Sequence, residues 1–196
     1  MPKFMLKKYF TLLVISFTFI SFSSAYAQGS PPLYEFGFSS GYIIADLKDD
    51  NLDEYSAIPL FFHFGYNINQ YVGLNNHKGV FQLALEPFLH AISQPNKSVN
   101  AGFRVMMKYS YPVLEKLTVY TELGAGPMYF GAKTVEQGKK GFNFNDAGGV
   151  GLQYFINDNK AITFGYRRHH ISNLGIRKEN GGVTGDSVVL GMSVFY

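Results

Sequence analysis

The feature that most constrains this fold is an alternation of apolar and polar residues with a period of two, which recurs along the chain from about residue 34 onward. Successive side chains of a β-strand point to opposite faces, whereas a helix repeats every 3.6 residues, so the alternation predicts strands. No later segment keeps a helical period over three turns. The clearest apolar row consists of Ile58, Leu60, Phe62, Phe64, Tyr66 and Ile68.

Eight segments of this kind follow one another, separated by turn-rich stretches such as 48–51, 94–97 and 156–159. Each is roughly ten residues long, which is the length that a tilted strand needs to cross a bilayer. The apolar rows begin at Tyr34, Ile58, Phe81, Phe103, Leu117, Val150, Ile162 and Val188. Eight consecutive strands with short connections predict one antiparallel sheet closed into a barrel.

The second face of these segments decides which side of the barrel meets water. It carries glycine, serine and charges of both signs, the charged residues being Glu86, Arg104, Lys108, Glu122 and Arg167. A soluble periplasmic barrel would bury the apolar face, whereas a membrane barrel turns that face toward lipid and keeps a polar interior. Aromatic residues at the ends of the apolar rows, and the terminal Tyr196, favour the second arrangement. We therefore predict an all-β, eight-stranded antiparallel transmembrane β-barrel with an internal ion network.

The N-terminus has the pattern of a secretory leader. Lys3, Lys7 and Lys8 precede an apolar run over 10–22 and the small-residue signal Ala25-Tyr26-Ala27. We predict that residues 1–27 are a signal peptide and that residues 28–196 form one outer-membrane β-barrel domain.

Composition excludes several functional classes. The chain has no cysteine, which removes disulfides, thiol nucleophiles and thiolate metal sites. Its net charge of +3 is spread along the chain, so no nucleic-acid partner is expected. His63 and His90 fall on the polar face without carboxylates at ligand spacing, which favours internal hydrogen bonding over a metal site. We expect neither metal nor cofactor.

The apolar row of the seventh segment turns polar at Arg168, His170 and Ser172. One interpretation is that the strand leaves the bilayer there and meets lipid head groups. The other is catalytic, because residues two apart share a face of a strand and a histidine nitrogen can then accept the proton of a serine hydroxyl.

A catalytic His–Ser pair is commonly completed by an acid that orients the imidazole. On the eighth segment, Thr184 and Asp186 have the same parity as His170. A register that pairs His170 with Asp186 also pairs Ile162 with Val194 and keeps the apolar rows together. This register makes Asp186 the candidate acid.

The segment GYRRHHISNLGI at 165–176, followed by NGGV at 180–183, resembles the C-terminal signature of the outer-membrane lipid A 3-O-deacylases. The similarity extends from the strand at 122–126 to the C-terminus. It implies a cofactor-free carboxylic ester hydrolase of the bacterial outer membrane that removes a 3-O-linked acyl chain from lipid A, the anchor of lipopolysaccharide.

The resemblance also implies a role for each motif residue. His170 would be the general base and Ser172 the nucleophile. Asn180, with a backbone N–H near Gly175, would stabilise the oxyanion, and Asn173 would hold the loop.

The acid departs from the family pattern. Counted forward from the H-x-S core, the glutamate position of the family falls on Thr184, which cannot be an anion. Counted back from the C-terminus it falls on Asp186, which requires two extra residues between Lys178 and Gly185.

Two other functions remain open at this stage, a non-catalytic structural or adhesive barrel and an acyl transferase with an internal acyl-chain cavity. The sequence also leaves open whether the barrel acts as a monomer or a homodimer. Lipid of the outer membrane is the expected surrounding. A solvated surface is the default expectation for the loop cations Lys139, Lys140, Arg177 and Lys178, and contact with lipid A phosphates is the alternative for the loop of Arg177 and Lys178.

Overall fold

The computed structural model describes residues 33–47 and 54–196, and the predicted signal peptide at 1–27 lies outside them. Eight strands are present, as the alternation predicts. They are β1 (Tyr34–Asp46), β2 (Glu54–Asn67), β3 (Val80–Gln94), β4 (Ser98–Leu114), β5 (Leu117–Phe130), β6 (Gly141–Asn157), β7 (Lys160–Ser172) and β8 (Val183–Phe195). A 3-10 helix at Asn69–Tyr71 lies between β2 and β3. Within the described residues, no helix is long and apolar enough to cross a membrane.

Each strand pairs antiparallel with the next, and β8 pairs with β1 to close the barrel. The closing pairs include Phe36 with Val194 and Tyr42 with Val188. Closure leaves no free sheet edge, which is the condition for placing a sheet in hydrocarbon, where no water can satisfy exposed backbone groups. The predicted eight-stranded antiparallel barrel is confirmed.

The apolar rows point outward, as predicted for a membrane barrel. Their large side chains are about half exposed on every strand, for example Val105, Leu123, Phe164 and Leu190. The opposite rows are buried inside the barrel. This is the reverse of a soluble barrel, so the soluble periplasmic alternative is wrong.

The interior charges pair with one another. Glu86 accepts hydrogen bonds from Arg104 and from Arg167, whose guanidinium also binds Glu122. These side chains are almost completely buried, so the mutual pairing compensates much of the cost of removing each charge from water. The predicted internal ion network is confirmed.

A second interior cluster lies nearer the chain termini. Lys108 Nζ binds both carboxylate oxygens of Glu35, at 2.8 and 2.7 Å. Gln153 Nε2 and Ser193 Oγ also donate to Glu35, at 2.7 and 2.8 Å. The sequence interpretation did not include Glu35 in the network.

The connections β3–β4, β5–β6 and β7–β8 lie at one end of the barrel, which we call the loop end. Two of these loops, 131–140 and 173–182, are fastened together. The Gly181 N–H donates to the Glu136 carbonyl at 2.7 Å, and Arg177 Nη1 donates to the Lys139 carbonyl at 2.6 Å. Gln137 Nε2 ties the first loop to the Ile171 carbonyl on β7 at 3.2 Å. The loop at 131–140 therefore holds the end of β7 in place.

The predicted register between β7 and β8 is wrong by two residues. His170 pairs with Thr184, and Asp186 pairs with Arg168, while Ile162 lies opposite Met192. An apolar alternation fixes which face each residue occupies, but a slip of two preserves that face and is not penalised by the pattern. Both Met192 and Val194 satisfy Ile162, so the pattern could not choose between them.

Candidate active site

His170 lies on the outer face of β7 near the loop end, between two direct cross-strand neighbours. Thr184 of β8 is on one side and Asp146 of β6 on the other. The next residue along the same row toward the loops is Ser172, opposite Phe144. Three neighbouring strands therefore need no unusual geometry to place a histidine, a serine, a threonine and a carboxylate on one patch.

The imidazole of His170 is held by Thr184. His170 Nδ1 lies 2.7 Å from Thr184 Oγ1. In the tautomer that donates from Nδ1, the lone pair of the ring is on Nε2, which is then available as a base. The other side of the ring packs on Gly182, where a Cβ atom would lie 2.5 Å from His170 Cε1 and where φ is +74°. Both constraints require glycine at this position.

Within the part of the chain that the structure describes, Asp186 forms no hydrogen bond or ion pair with His170. Its carboxylate accepts a hydrogen bond from the Tyr166 hydroxyl at 2.6 Å and forms an ion pair with Arg168 Nη1 at 3.2 Å. The predicted pairing of Asp186 with His170 is therefore corrected, and the position beside the imidazole belongs to Thr184. The register gives the physical reason, because Asp186 lies one outward position farther from the loop end.

Ser172 is the last residue of β7 and is only 9% exposed. It has the same strand parity as His170, as predicted. Among the described residues, Ser172 and His170 do not form a hydrogen bond with each other. Catalytic hydrogen bonds are often long or poorly aligned without substrate, so the two residues remain a candidate pair.

Asn173 organises the loop that follows Ser172. Its backbone N–H donates to Asn180 Oδ1 at 2.8 Å, and its own Oδ1 accepts from the Gly175 N–H at 3.0 Å. The chain reverses over 173–176 through Leu174 and Gly175, whose φ angles are +53° and +78°. A positive φ at a leucine is uncommon and is found where the surrounding structure enforces it. Asn173 thus makes the loop contacts expected of it.

The two proposed oxyanion donors differ in their present contacts. Asn180 uses its Oδ1 to accept from Asn173, so the opposite end of its amide, Nδ2, is the end left to donate. The Gly175 N–H is already bonded to Asn173 Oδ1. In this structure Asn180 is therefore the better prepared donor, while Gly175 must first exchange its partner.

The family model for the lipid A 3-O-deacylases (PagL) matches residues 62–193, which is more than half of the chain and includes every residue of this patch. This chain belongs to the lipid A 3-O-deacylase family. It is therefore an outer-membrane β-barrel of a deacylase family that acts on lipid A, and the resemblance found in the sequence is confirmed.

Solved structures agree with the fold. Neisserial surface protein A aligns with a TM-score of 0.58 and 13% identity over 86% of this chain and all of that chain. The outer-membrane enzyme PagL aligns with a TM-score of 0.55 and 15% identity over 80% of this chain and 97% of that chain. Identities this low support the shared barrel and no finer similarity. A search of curated proteins gave no significant match.

Asp146 is a residue of this patch that the sequence interpretation missed. It lies on the outer face of β6, directly opposite His170. Counting back from the β6–β7 turn, where Asn157 pairs with Lys160, would place Ala147 opposite His170, but a bulge between Phe155 and Asn157 shifts the register by one residue to Asp146. The sequence interpretation considered only residues of the eighth segment as the acid, so Asp146 on the sixth was not included.

A groove runs along the outer face beside the patch. Its volume is about 620 Å3, and Asp146 is one of its lining residues. The groove exists because two outward positions are small, Ala125 on β5 and Gly148 on β6. The other lining residues are Leu83, Val105, Met107, Leu123, Gly124 and Ala147. An apolar groove open to lipid has the chemistry to accept an acyl chain.

Proposed function

We propose that this protein hydrolyses the 3-O-linked acyl ester of lipid A, with Ser172 as nucleophile and His170 as general base. The observation that carries the proposal is the His170 ring, fixed by Thr184 on the outer face of the barrel, two residues from Ser172 and beside an apolar groove. Substrate would reach this patch sideways from the membrane, with its acyl chain along the groove.

The first half of the reaction forms an acyl-enzyme. Ser172 Oγ attacks the ester carbonyl while His170 Nε2 takes the hydroxyl proton. Asn180 Nδ2 donates to the oxyanion of the tetrahedral intermediate, joined by the Gly175 N–H once that group leaves Asn173. The carbonyl re-forms, the bond to the lipid A oxygen breaks, and the imidazolium returns its proton to that oxygen.

Water completes the cycle. His170 Nε2 accepts a proton from a water molecule as its oxygen attacks the acyl-serine carbonyl. The second tetrahedral intermediate collapses, Ser172 regains its proton from the imidazolium, and the free fatty acid leaves along the groove. No external cofactor is needed for the balance of atoms or protons.

The loop end offers cations for the phosphates of lipid A. Lys139, Lys140 and Lys178 are exposed on the two fastened loops. Arg177 is engaged differently, because its guanidinium donates to the carbonyls of Lys139 and Phe142. We therefore assign Arg177 to fastening the loops and the three lysines to phosphate contact.

The test is to express the full chain in an outer membrane of known lipid A composition and to weigh the lipid A by mass spectrometry. The proposal predicts loss of one 3-O-linked acyl group, and Ser172→Ala and His170→Ala should abolish that loss while the barrel still folds. Gain of an acyl group would instead indicate a transferase. Unchanged lipid A, from a correctly inserted barrel, would favour the structural or adhesive function.

A further inference from the structure

We propose that Asp146 supplies the negative charge that stabilises the His170 imidazolium, while Thr184 only orients the ring. The inference rests on the proposed function, since it concerns the base of that reaction. In a Ser–His–acid triad, one acid both orients the imidazole and stabilises its positive charge. Here Thr184 of β8 would do the first and Asp146 of β6 the second. Asp146 would thus be a positioning residue that acts through His170 and does not touch the substrate.

The division follows from the chemistry of Thr184. A triad acid holds the imidazole in the productive tautomer and stabilises the positive charge that appears on it. The Thr184 hydroxyl, 2.7 Å from Nδ1, is well placed for the first task. It is neutral and cannot carry out the second. A chain with threonine at this position lacks a charge unless another residue provides one.

Asp146 is the carboxylate that faces His170 most directly. It is the cross-strand partner of His170, and side chains in such pairs have Cβ atoms about 4.5–5.5 Å apart. At that distance, beside a lipid-facing groove, two opposite charges attract more strongly than they would in water. Asp146 needs no ion pair or hydrogen bond with the neutral ring to exert this effect.

The other charged groups around His170 are already engaged or turned elsewhere. Arg168, on the same row of β7, is paired with Asp186 of β8, so the two charges largely cancel. His169 is directed into the barrel, where it bonds Ser187. Glu136 of the 131–140 loop is buried against Gly181, behind the glycine on which the His170 ring packs.

The surroundings of Asp146 also favour a functional role. Within residues 33–47 and 54–196, its side chain has no hydrogen-bonding or ion-pairing partner, unlike Asp186. It shares its groove with Val105, Leu123 and other apolar side chains. An ionisable group on the lipid face of a barrel reduces stability, so an unpaired one is most readily explained by a use.

The first experiment needs no turnover. The protein is prepared in detergent micelles, and the His170 ring protons are followed by NMR as pH is varied. We expect the titration midpoint of His170 to move to lower pH in Asp146→Asn, because the positive ring loses its stabilising charge. The matched control is Asp158→Asn, which makes the same change in the exposed β6–β7 turn at the other end of the barrel. An unchanged midpoint in Asp146→Asn would overturn the inference even if the protein is an active deacylase.

The second experiment uses the deacylase assay. Asp146→Asn should lower kcat by about tenfold and leave KM nearly unchanged. A tenfold change is what a shift of one pH unit in a titration midpoint corresponds to. The acid side of the pH–rate profile should move in the same direction as the NMR midpoint, and Asp146→Glu should restore most of the rate. A rise in KM with an unmoved profile would instead assign Asp146 to substrate binding.

A double substitution separates this inference from its competitors. Thr184→Glu places a carboxylate beside Nδ1, and in that background Asp146→Asn should cost less than twofold. An equal loss in both backgrounds would contradict the inference. So would a shifted midpoint in Glu136→Gln with none in Asp146→Asn. Activity that survives Ser172→Ala would refute the proposed function alone, since the NMR result on Asp146 would stand.

Discussion

The inside and the outside of this barrel use charge in opposite ways. Inside, Glu86 is bound by both Arg104 and Arg167, and Glu35 by Lys108, with additional neutral donors. Outside, His170 has one neutral hydroxyl as its hydrogen-bonding partner and an unpaired carboxylate across the strand. Mutual pairing of opposite charges holds a shape, whereas an incompletely paired patch keeps groups available for proton transfer and substrate.

The contrast depends on the alternation of strand β7. Arg167 and His169 point inward and join the interior network, while Arg168 and His170 point outward. His169 bonds Ser187 Oγ at 2.8 Å and lies 3.1 Å from Arg104 Nη1. The network therefore anchors the strand from behind at the same level at which the outer row carries the candidate base. Rigid support of this kind is what a catalytic constellation needs.

The largest effect should come from disrupting the ion network inside the barrel. Arg167→Met removes the ion-pair partner of Glu122 and one of the two cations on Glu86. Leaving a buried charge uncompensated should lower the free energy of unfolding by about 3–5 kcal/mol. Urea titration of the barrel in lipid vesicles measures this.

The matched control removes the stranded charge as well. Arg167→Met with Glu122→Gln should recover much of the loss, because Glu86 keeps Arg104 and no carboxylate is left alone. If the single and double variants are equally destabilised, the network does not act through charge compensation. The folded fraction of either variant should retain its outer patch.

A smaller effect is expected from Asn180→Ala, and it should lower the rate of the reaction while leaving the stability unchanged. Its Nδ2 is the better prepared oxyanion donor, so its loss should reduce kcat by roughly a hundredfold, the low end for removing one such donor. The barrel should remain as stable as the parent, because Asn180 lies in an exposed loop. Initial rates on purified lipid A and urea titration together measure both quantities.

The same truncation at Asn159, in the β6–β7 turn, is the control for a general loop effect and should leave kcat unchanged. A loss of stability that parallels the loss of rate in Asn180→Ala would contradict the assignment, because it would mean that Asn180 serves to hold Asn173 through their 2.8 Å contact.

Strand parity explains how much the sequence could predict. The alternation identifies eight strands, their inward and outward rows and the outward placement of His170 and Ser172, because each of these depends only on a period of two. Glu35 was missed because its interior role depends on which strands meet across the barrel, and that is set by closure between β1 and β8. Asp146 was missed because it lies on β6, the strand before β7, where no family motif drew attention.

The residue beside the His170 ring could not be predicted from the alternation alone. Thr184 and Asp186 have the same parity, and a slip of two residues changes no face and no apolar contact class. The length of the 173–182 loop and the hydrogen bonds within it fix the register, and these depend on particular contacts such as that of Asn173 with Asn180. Resemblance to the family, counted forward from the H-x-S core, identified the correct neighbour, Thr184.

The smallest effect should come from Asp186→Asn. This variant compares two carboxylates of the same outer face, one with binding partners and one with none among the described residues. Asp186 and Asp146 are both carboxylates of the outer face, but Asp186 is bound to Arg168 and Tyr166. The ion pair is exposed, and pairs of this kind contribute about 0–1 kcal/mol, so stability should change little. The deacylation rate should stay within about twofold of the parent, because the hydrogen bonds and ion pair of Asp186 go to Tyr166 and Arg168 and not to His170. A tenfold loss in Asp186→Asn with none in Asp146→Asn would mean that the functional register differs from this structure and that Asp186 reaches His170 after all.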